Sequence, residues 1–215
     1  MHIKEQQTIL FDLDGTLIDS TEAILESFDH TFGHFSRTTP PAEKITMEIG
    51  HPLDGMFLSL GISEVEVWEY VNVYKAYYRQ ISRAKTQLLP GARKAVEKAS
   101  TIARLGIVTT KTGKFSIELL EHMDLMQYFE VMIGREDVTS PKPHPEPILT
   151  ALSRLKMEGK KCWMIGDTCM DMLSAGEAGV TGIAVSSGYG SAEQLQECSS
   201  LLVENALEAV LSIAG

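Results

Sequence analysis

The strongest constraint on the fold is a series of short apolar runs separated by helical stretches. The runs lie at 8–12, 105–109, 131–133, 162–165 and 182–185, with a fainter one at 201–203. Continuous apolar runs of this length are typical of strands buried on both faces. Helical patterns lie between them, at about 91–102, 114–124, 145–156, 170–178 and 204–213. This alternation predicts an α/β fold with a parallel, doubly wound sheet.

One long interval, residues 18–85, interrupts this alternation. It contains no convincing strand, and its last part carries an apolar stripe at helical spacing, formed by Val67, Val71, Tyr74, Tyr78 and Ile81. We therefore expect a helical domain at 18–85, inserted into a core formed by residues 1–17 and 86–215. The aromatic residues of this stretch, Trp68 among them, are expected to pack inside the insertion.

Composition excludes several classes of protein. The chain has 215 residues, enough for one core and a smaller appendage, and its net charge is −10. Such an acidic chain is a poor partner for nucleic acids and anionic membranes. No apolar run approaches the roughly 20 residues of a spanning helix, and the polar start does not resemble a signal peptide. We expect a cytoplasmic protein, a monomer or homodimer, with Cys162, Cys169 and Cys198 as free thiols.

Polar side chains cluster where the predicted strands end, and ligands of open parallel sheets bind beyond the carboxyl ends of the strands. The residues at these ends are Asp12 and Asp14, Thr109–Lys111, Lys142, and Asp167 and Asp171. Acids held this close repel one another unless a cation lies among them. Oxygen ligands without histidine or cysteine suit a hard ion, so the pattern predicts a Mg²⁺ site.

These residue types support phosphoryl transfer. A carboxylate can attack a phosphoryl group and form an aspartyl-phosphate that water then hydrolyses. Two anions must meet in that step, so the metal and a lysine have to neutralise charge. The hydroxyl of Thr109 can bind a phosphoryl oxygen, and Gly15 lets backbone N–H groups approach the phosphate. Asp14 can protonate the leaving oxygen and then deprotonate the attacking water.

Four segments together resemble the motifs of the haloacid dehalogenase superfamily. They are DLDGT at 12–16, Thr109, Lys142 before Pro143, and GDTCMD at 166–171. The resemblance implies a Rossmann-like core with a helical cap, in which Asp12 is the nucleophile and Asp14 the general acid/base. It also implies that Thr109 and Lys142 bind phosphate, and that Mg²⁺ is held by the Asp12 carboxylate, the Asp14 backbone carbonyl and Asp167. Asp171 would support this site.

Within the superfamily, the chain is most similar to phosphoglycolate phosphatases. This resemblance implies a Mg²⁺-dependent phosphatase acting on a small phosphorylated metabolite. Thr110 stands where many of these enzymes carry asparagine, and GIVTTK at 106–111 is similar to pyrophosphatases, so an inorganic pyrophosphatase stays an alternative. A β-phosphoglucomutase-like enzyme shares all four motifs. A receiver-type signalling domain fits poorly, because its phosphorylated aspartate lies in the middle of a chain of about 120 residues.

The remaining polar residues have less definite predictions. Thr110 is either a second phosphate contact or a structural hydroxyl of the loop. His51, in a loop of the insertion, could contact substrate or lie in solvent. Lys111 could be no more than a charge in the first turn of a helix. Asp19 and Ser20 are expected to cap the helix that follows them.

Overall fold

The core of the computed structural model, which describes residues 7–157 and 161–215, is a six-stranded sheet. All of its neighbouring strands are parallel, in the order β5-β4-β1-β6-β7-β8. The strands are β1 (Gln7–Phe11), β4 (Arg104–Val108), β5 (Val131–Ile133), β6 (Lys161–Gly166), β7 (Thr181–Val185) and β8 (Leu202–Val203). Each coincides, within one or two residues, with a predicted apolar run.

Helices cover both faces of this sheet. They are α5 (Ala92–Ile102), α6 (Gly113–His122), α7 (Glu146–Leu155), α8 (Cys169–Glu177), α9 (Ala192–Cys198) and α10 (Ala206–Ala214). Alternate side chains of β1 point to opposite faces. Ile9 and Phe11 belong to the apolar cluster that includes α5 and α10, whereas Leu10 belongs to the cluster that includes α7. The predicted α/β class with a doubly wound sheet is confirmed.

The interval at 18–85 is largely helical. Its helices are α1 (Thr21–His34), α2 (Ala42–Thr46), α3 (Leu53–Ser59) and α4 (Val67–Ile81). They have an apolar cluster of their own, in which Phe28, Phe57 and Tyr70 are almost fully buried. The apolar stripe on α4 is buried as predicted at Val67, Val71, Tyr74 and Tyr78. We refer to α1–α4 as the helical insertion.

Two short strands mark where the chain leaves the core and returns. β2 (Ile18–Asp19) pairs with β3 (Gln87–Leu88) in an antiparallel ladder. The expectation of no strand within 18–85 is therefore wrong at Ile18–Asp19, because a two-residue strand is too short to leave a periodic pattern. The sequence patterns also missed helix α9. Within the described ranges, no helix is long and apolar enough to cross a membrane.

Two predictions about individual side chains are wrong. Trp68 is 58% exposed and does not pack inside the insertion. Cys169 and Cys198 form a disulfide, and only Cys162 is a free, buried thiol among the three. The disulfide joins the first residue of α8 to the last residue of α9. The two cysteines are 29 residues apart, and their proximity depends on the packing of two helices, one of which the sequence patterns missed.

Candidate active site

The predicted polar residues converge at the carboxyl edge of the sheet. Asp12 follows β1, Thr109 follows β4, Asp167 follows β6, and Lys142 reaches the same place from the loop after β5. All four are nearly inaccessible to solvent. Buried charges need partners, and the hydrogen bonds among these residues show how the charges are compensated.

Lys142 links the separate strands at the centre of the site. Its Nζ donates to Asp12 Oδ1 at 2.7 Å, to Asp171 Oδ1 at 2.5 Å and to the Val108 carbonyl at 3.0 Å. Burial alone would lower the pKa of Lys142, but the carboxylates of Asp12 and Asp171 outweigh burial and raise it above its ordinary value. Lys142 is therefore a permanent cation, with all three ammonium donors in use.

Three buried carboxylates, those of Asp12, Asp167 and Asp171, lie together, with one oxygen from each within 4.8 Å of the others. The pKa of Asp12 rises from 3.8 to about 7, and burial is the largest cause. The attraction of Lys142 offsets only part of this rise, and the repulsion from Asp171 adds to it. Burial and the charge of Asp12 also raise the pKa of Asp167 well above its ordinary value. Three acids and one lysine leave an excess of negative charge, and the all-oxygen donor set fits a hard divalent cation.

The oxygens of these acids are not equally available. Both oxygens of Asp171 are in use, because Oδ1 accepts from Lys142 and Oδ2 accepts from the Thr168 backbone N–H and hydroxyl. Asp12 Oδ1 accepts from Lys142, whereas Oδ2 has no hydrogen-bond donor among the residues that the structure describes. Asp12 thus keeps one oxygen available for another partner, whereas Asp171 uses both of its oxygens to hold Lys142 and Thr168 in place.

Two glycines bring the backbone close to Asp167. A Cβ on Gly15 would lie 2.2 Å from Asp167 Oδ2, and a Cβ on Gly188 would lie 2.0 Å from the same atom. Gly15 also has a φ of 83°, which disfavours any side chain. The Asp167 carboxylate is oriented by the Thr16 hydroxyl at 2.9 Å and by the Tyr189 backbone N–H at 2.8 Å. The loop at 186–190 was not predicted to belong to the site, although it is glycine-rich and follows a strand end.

Asp14 lies on the side of the site that faces the helical insertion. Its Oδ2 is 3.0 Å from Lys111 Nζ, and its Oδ1 accepts a short hydrogen bond from the Ser20 hydroxyl. Ser20 precedes α1, but its side chain makes no capping bond and holds Asp14 instead. Asp19 accepts from the backbone N–H of Thr21, as a capping residue does. Lys111 was missed as a partner of Asp14, since the pairing depends on the loop after β4 turning towards β1.

The two threonines after β4 have different surroundings. Thr109 is buried, and its Oγ1 accepts from the Lys111 backbone N–H at 3.1 Å, which leaves the hydroxyl proton free to be donated. Thr110 donates its hydroxyl proton to the Gly50 carbonyl of the insertion at 2.8 Å. A phosphate contact by Thr110 would require this bond to break. His51, next to Gly50, is exposed.

A cavity of about 370 Å³ lies between the core and the insertion. Asp14 and Lys111 line its core side, and α4 lines the opposite side with Trp68, Tyr74 and Tyr78. His51 also borders it. Asp14, the acid that faces the insertion, is therefore part of the cavity wall.

A parallel α/β sheet whose edge gathers a lysine-bound aspartate and a buried acid cluster fits a phosphatase-type hydrolase. The family model described as haloacid dehalogenase-like hydrolase matches residues 9–185. The chain belongs to this family, as the sequence motifs indicated.

Named relatives and solved structures agree with this assignment. The chain is 32% identical to a protein named probable phosphatase IndB from Dickeya dadantii, over 96% of this chain and 92% of the relative. It is 33% identical to pyrophosphatase PpaX from Bacillus mycoides, over 83% of each chain. A haloacid dehalogenase-like hydrolase structure from Bacteroides fragilis superimposes with a TM-score of 0.88 at 29% identity, over 94% of this chain and 98% of that one.

Proposed function

We propose that the protein is a Mg²⁺-dependent phosphatase that hydrolyses a small phosphorylated metabolite through a phosphorylated Asp12. The observation that carries the proposal is the environment of the Asp12 carboxylate. Lys142 binds Oδ1 at 2.7 Å, whereas Oδ2 has no donor among the described residues. A carboxylate anchored through one oxygen presents the other in a fixed position, which is what an attack on phosphorus needs.

The proposed reaction has two steps on the residues of this chain. Asp12 Oδ2 forms a bond to phosphorus, the ester P–O bond breaks, and Asp14 gives a proton to the leaving oxygen. Asp14 then takes a proton from water, whose oxygen attacks phosphorus. The bond between phosphorus and Asp12 Oδ2 breaks, its electron pair stays on the Asp12 carboxylate, and phosphate leaves. The free hydroxyl proton of Thr109 and the backbone N–H groups of the turn that contains Gly15 are placed to bind phosphoryl oxygens. Lys142 would also bind one, by exchanging one of its three present acceptors for it.

The metal site is part of the proposal. Asp12 and Asp167 would bind the ion with their carboxylates and Asp14 with its backbone carbonyl, while Asp171 holds Lys142 beside them. When bound, Mg²⁺ supplies positive charge that offsets the repulsion between the substrate phosphate and the carboxylates. After burial, the charges of Asp12 and Asp171 are the largest causes of the raised pKa of Asp167, and this repulsion supports the assignment, since a cation among the three acids would relieve it.

The helical insertion would act as a cap over the substrate. We propose that residues 18–85 form this cap domain and that His51 can reach a bound substrate from it. Thr110 supports the idea, because its bond to Gly50 ties the loop that carries Thr109 to the insertion. We also propose that the enzyme acts in the cytoplasm, where phosphorylated metabolites are made, although disulfides such as Cys169–Cys198 are rare in that compartment.

The experiment compares p-nitrophenyl phosphate hydrolysis by the wild type and Asp12→Asn, with Mg²⁺ and with EDTA. Asp12→Asn keeps the shape of the side chain but removes the nucleophilic charge. We expect it to abolish turnover, and we expect acid-quenched wild type to carry one phosphoryl group that the variant lacks. Asp19→Asn is the matched control, since the Asp19 side chain accepts from the Thr21 backbone N–H at the start of α1, and it should retain activity. Full activity in Asp12→Asn, or in EDTA, would refute the proposal.

A pyrophosphatase is the second candidate, and the relatives named PpaX favour it. Pyrophosphate would use the same Asp12 chemistry with phosphate as the leaving group. The comparison of kcat/KM for phosphoglycolate, pyrophosphate and hexose phosphates separates the phosphatase, the pyrophosphatase and a mutase-like enzyme. A stable phosphoprotein without turnover would instead indicate a receiver-type role.

A further inference from the structure

Given the phosphatase chemistry proposed above, the residues that line the cavity between the core and the helical insertion indicate the chemistry of the substrate's leaving group. Asp14, the proposed proton donor to the leaving oxygen, is one of its lining residues. The leaving group of a substrate whose phosphoryl group sits at Asp12 must therefore lie in or next to this space. At about 370 Å³, the cavity is in the range that holds a whole small-molecule ligand.

The lining is rich in aromatic rings. Trp68, Tyr74 and Tyr78 come from α4, and Phe115 comes from α6 in the core. Tyr74 and Tyr78 stack with ring centroids 5.6 Å apart, and Phe115 lies 6.1 Å from Tyr78. Tyr74 and Tyr78 are buried, so Trp68 from the insertion and Phe115 from the core are the rings of the lining that stay accessible. Aliphatic side chains add to it, namely Ile24, Ile49, Leu53, Met56 and Val71.

Trp68 provides an independent indication that something binds here. It lies in the first turn of α4, it lines the cavity, and it is 58% exposed, although tryptophan is normally well buried. Trp68 therefore offers the cavity an aromatic surface that the fold leaves uncovered. A ring brought by a substrate would cover the exposed part of Trp68.

The charges of the lining do not favour an anionic leaving group. The acidic lining residues are Asp14, Asp54 and Glu136, and the basic ones are Lys75, Lys111 and Arg135. The two sets are equal in number, and Lys111 is already paired with Asp14 at 3.0 Å. A leaving phosphate or glycolate would meet no excess of positive charge. Both also lack apolar surface with which to cover the rings.

We infer that the substrate is a phosphomonoester whose leaving group is an uncharged alcohol with an aromatic ring, bound against Trp68 and Phe115. Apolar contact with the ring accounts for the lining, and the balanced charges account for the absence of a second anion. Trp68 is then a specificity-determining residue of the helical insertion. Such a substrate differs from both phosphoglycolate and pyrophosphate.

The test compares ethyl phosphate with 2-phenylethyl phosphate. Both are alkyl phosphates that differ by one phenyl ring, so the ratio of their kcat/KM values measures what the ring contributes. We expect the phenyl ester to be favoured by about tenfold or more. Trp68→Ala should lower this ratio by about three- to tenfold. Tyr77→Ala removes a ring from the same helix outside the cavity and should leave the ratio unchanged.

A binding measurement covers the case in which turnover is slow. The dissociation constants of ethylphosphonate and 2-phenylethylphosphonate for the Mg²⁺-loaded protein, measured by calorimetry, should differ in the same direction. A ratio near one in both assays would overturn the inference, and so would a ratio that Trp68→Ala does not change. Mg²⁺-dependent hydrolysis of either ester with a ratio near one would leave the proposed phosphatase intact. Absence of hydrolysis of every phosphate tested would refute the proposed function instead.

Discussion

Lys111 Nζ lies 3.0 Å from Asp14 Oδ2 and 4.6 Å from the centroid of the Tyr78 ring. One side chain of the core thus contacts both the proposed acid/base and the helical insertion. Burial opposes its charge, but Asp14 keeps the pKa of Lys111 well above its ordinary value. Such an arrangement positions Asp14 most firmly when the insertion lies against the core.

The contact between Lys111 and Asp14 predicts that removing the Lys111 cation lowers kcat. Lys111→Met leaves Asp14 without its cation, and we expect kcat to fall by about tenfold or more, a part of the roughly 10²–10⁴-fold that a positioned acid/base supplies. Lys111→Arg keeps the charge and should recover part of the loss. Steady-state kinetics on p-nitrophenyl phosphate measure both. Lys85→Met, which breaks exposed ion pairs with Glu22 and Glu26, is the control and should be fully active. An unchanged kcat in Lys111→Met would show that the pair is only structural.

The buried acids predict how stability depends on pH and metal. The pKa of Asp12 rises from 3.8 to about 7 on folding, so the folded chain binds more protons than the unfolded chain between these values. The free energy of unfolding of the metal-free protein should therefore fall as the pH rises through this window. Mg²⁺ compensates the ionised acids, so the difference in Tm between Mg²⁺-loaded and EDTA-treated protein should grow over the same window.

Thermal melts at a series of pH values measure this difference. Asp12→Asn removes the titrating carboxyl group, so the Tm of the metal-free variant should depend less on pH than the Tm of the metal-free wild type. Parallel curves with and without Mg²⁺ across the window would contradict the assignment of the acids to the metal.

Gly188 predicts a steric test of the Asp167 position. A Cβ at Gly188 would lie 2.0 Å from Asp167 Oδ2, so Gly188→Ala must displace the carboxylate. We expect Mg²⁺ affinity, measured by calorimetry, to fall by about ten- to hundredfold, as when a group that orients a ligand is lost. Gly176→Ala is the control, since a Cβ there meets nothing within 4 Å, and it should raise stability by about 0.5–1 kcal/mol. Wild-type affinity in Gly188→Ala would mean that Asp167 tolerates displacement.

Much of the fold could be predicted because its signals are local. Each strand of the sheet coincides within one or two residues with a short apolar run, and the stripe from Val67 to Tyr78 has helical spacing. The convergence of Asp12, Lys142 and Asp167 also followed, since parallel strands present their carboxyl ends at one edge. Only residues that directly follow a strand end, or carry a motif, were found in this way.

The features that were missed depend on contacts between distant segments. Lys111 pairs with Asp14 because β1 and β4 are neighbours and both residues follow the ends of these strands. The sequence around Lys111 resembles the start of any helix and does not indicate this pairing. Gly188 acts through a steric contact with Asp167, which no pattern reports. Trp68 was predicted to lie in the interior because aromatic residues on an amphipathic helix usually pack there. Its exposure depends on where the apolar cluster of the helical insertion ends, which is a property of the folded chain.

The disulfide predicts a dependence of stability on reductant. Cys169 and Cys198 are 29 residues apart, and closing a loop of this length restricts the unfolded chain. We expect reduction by a dithiol to lower the free energy of unfolding by about 3 kcal/mol, measured by denaturant titration. Cys198→Ser should show the same loss and no further effect of the reductant. Alkylation of all three cysteines in native, unreduced protein would contradict the pairing, whereas modification limited to Cys162 after unfolding would support it.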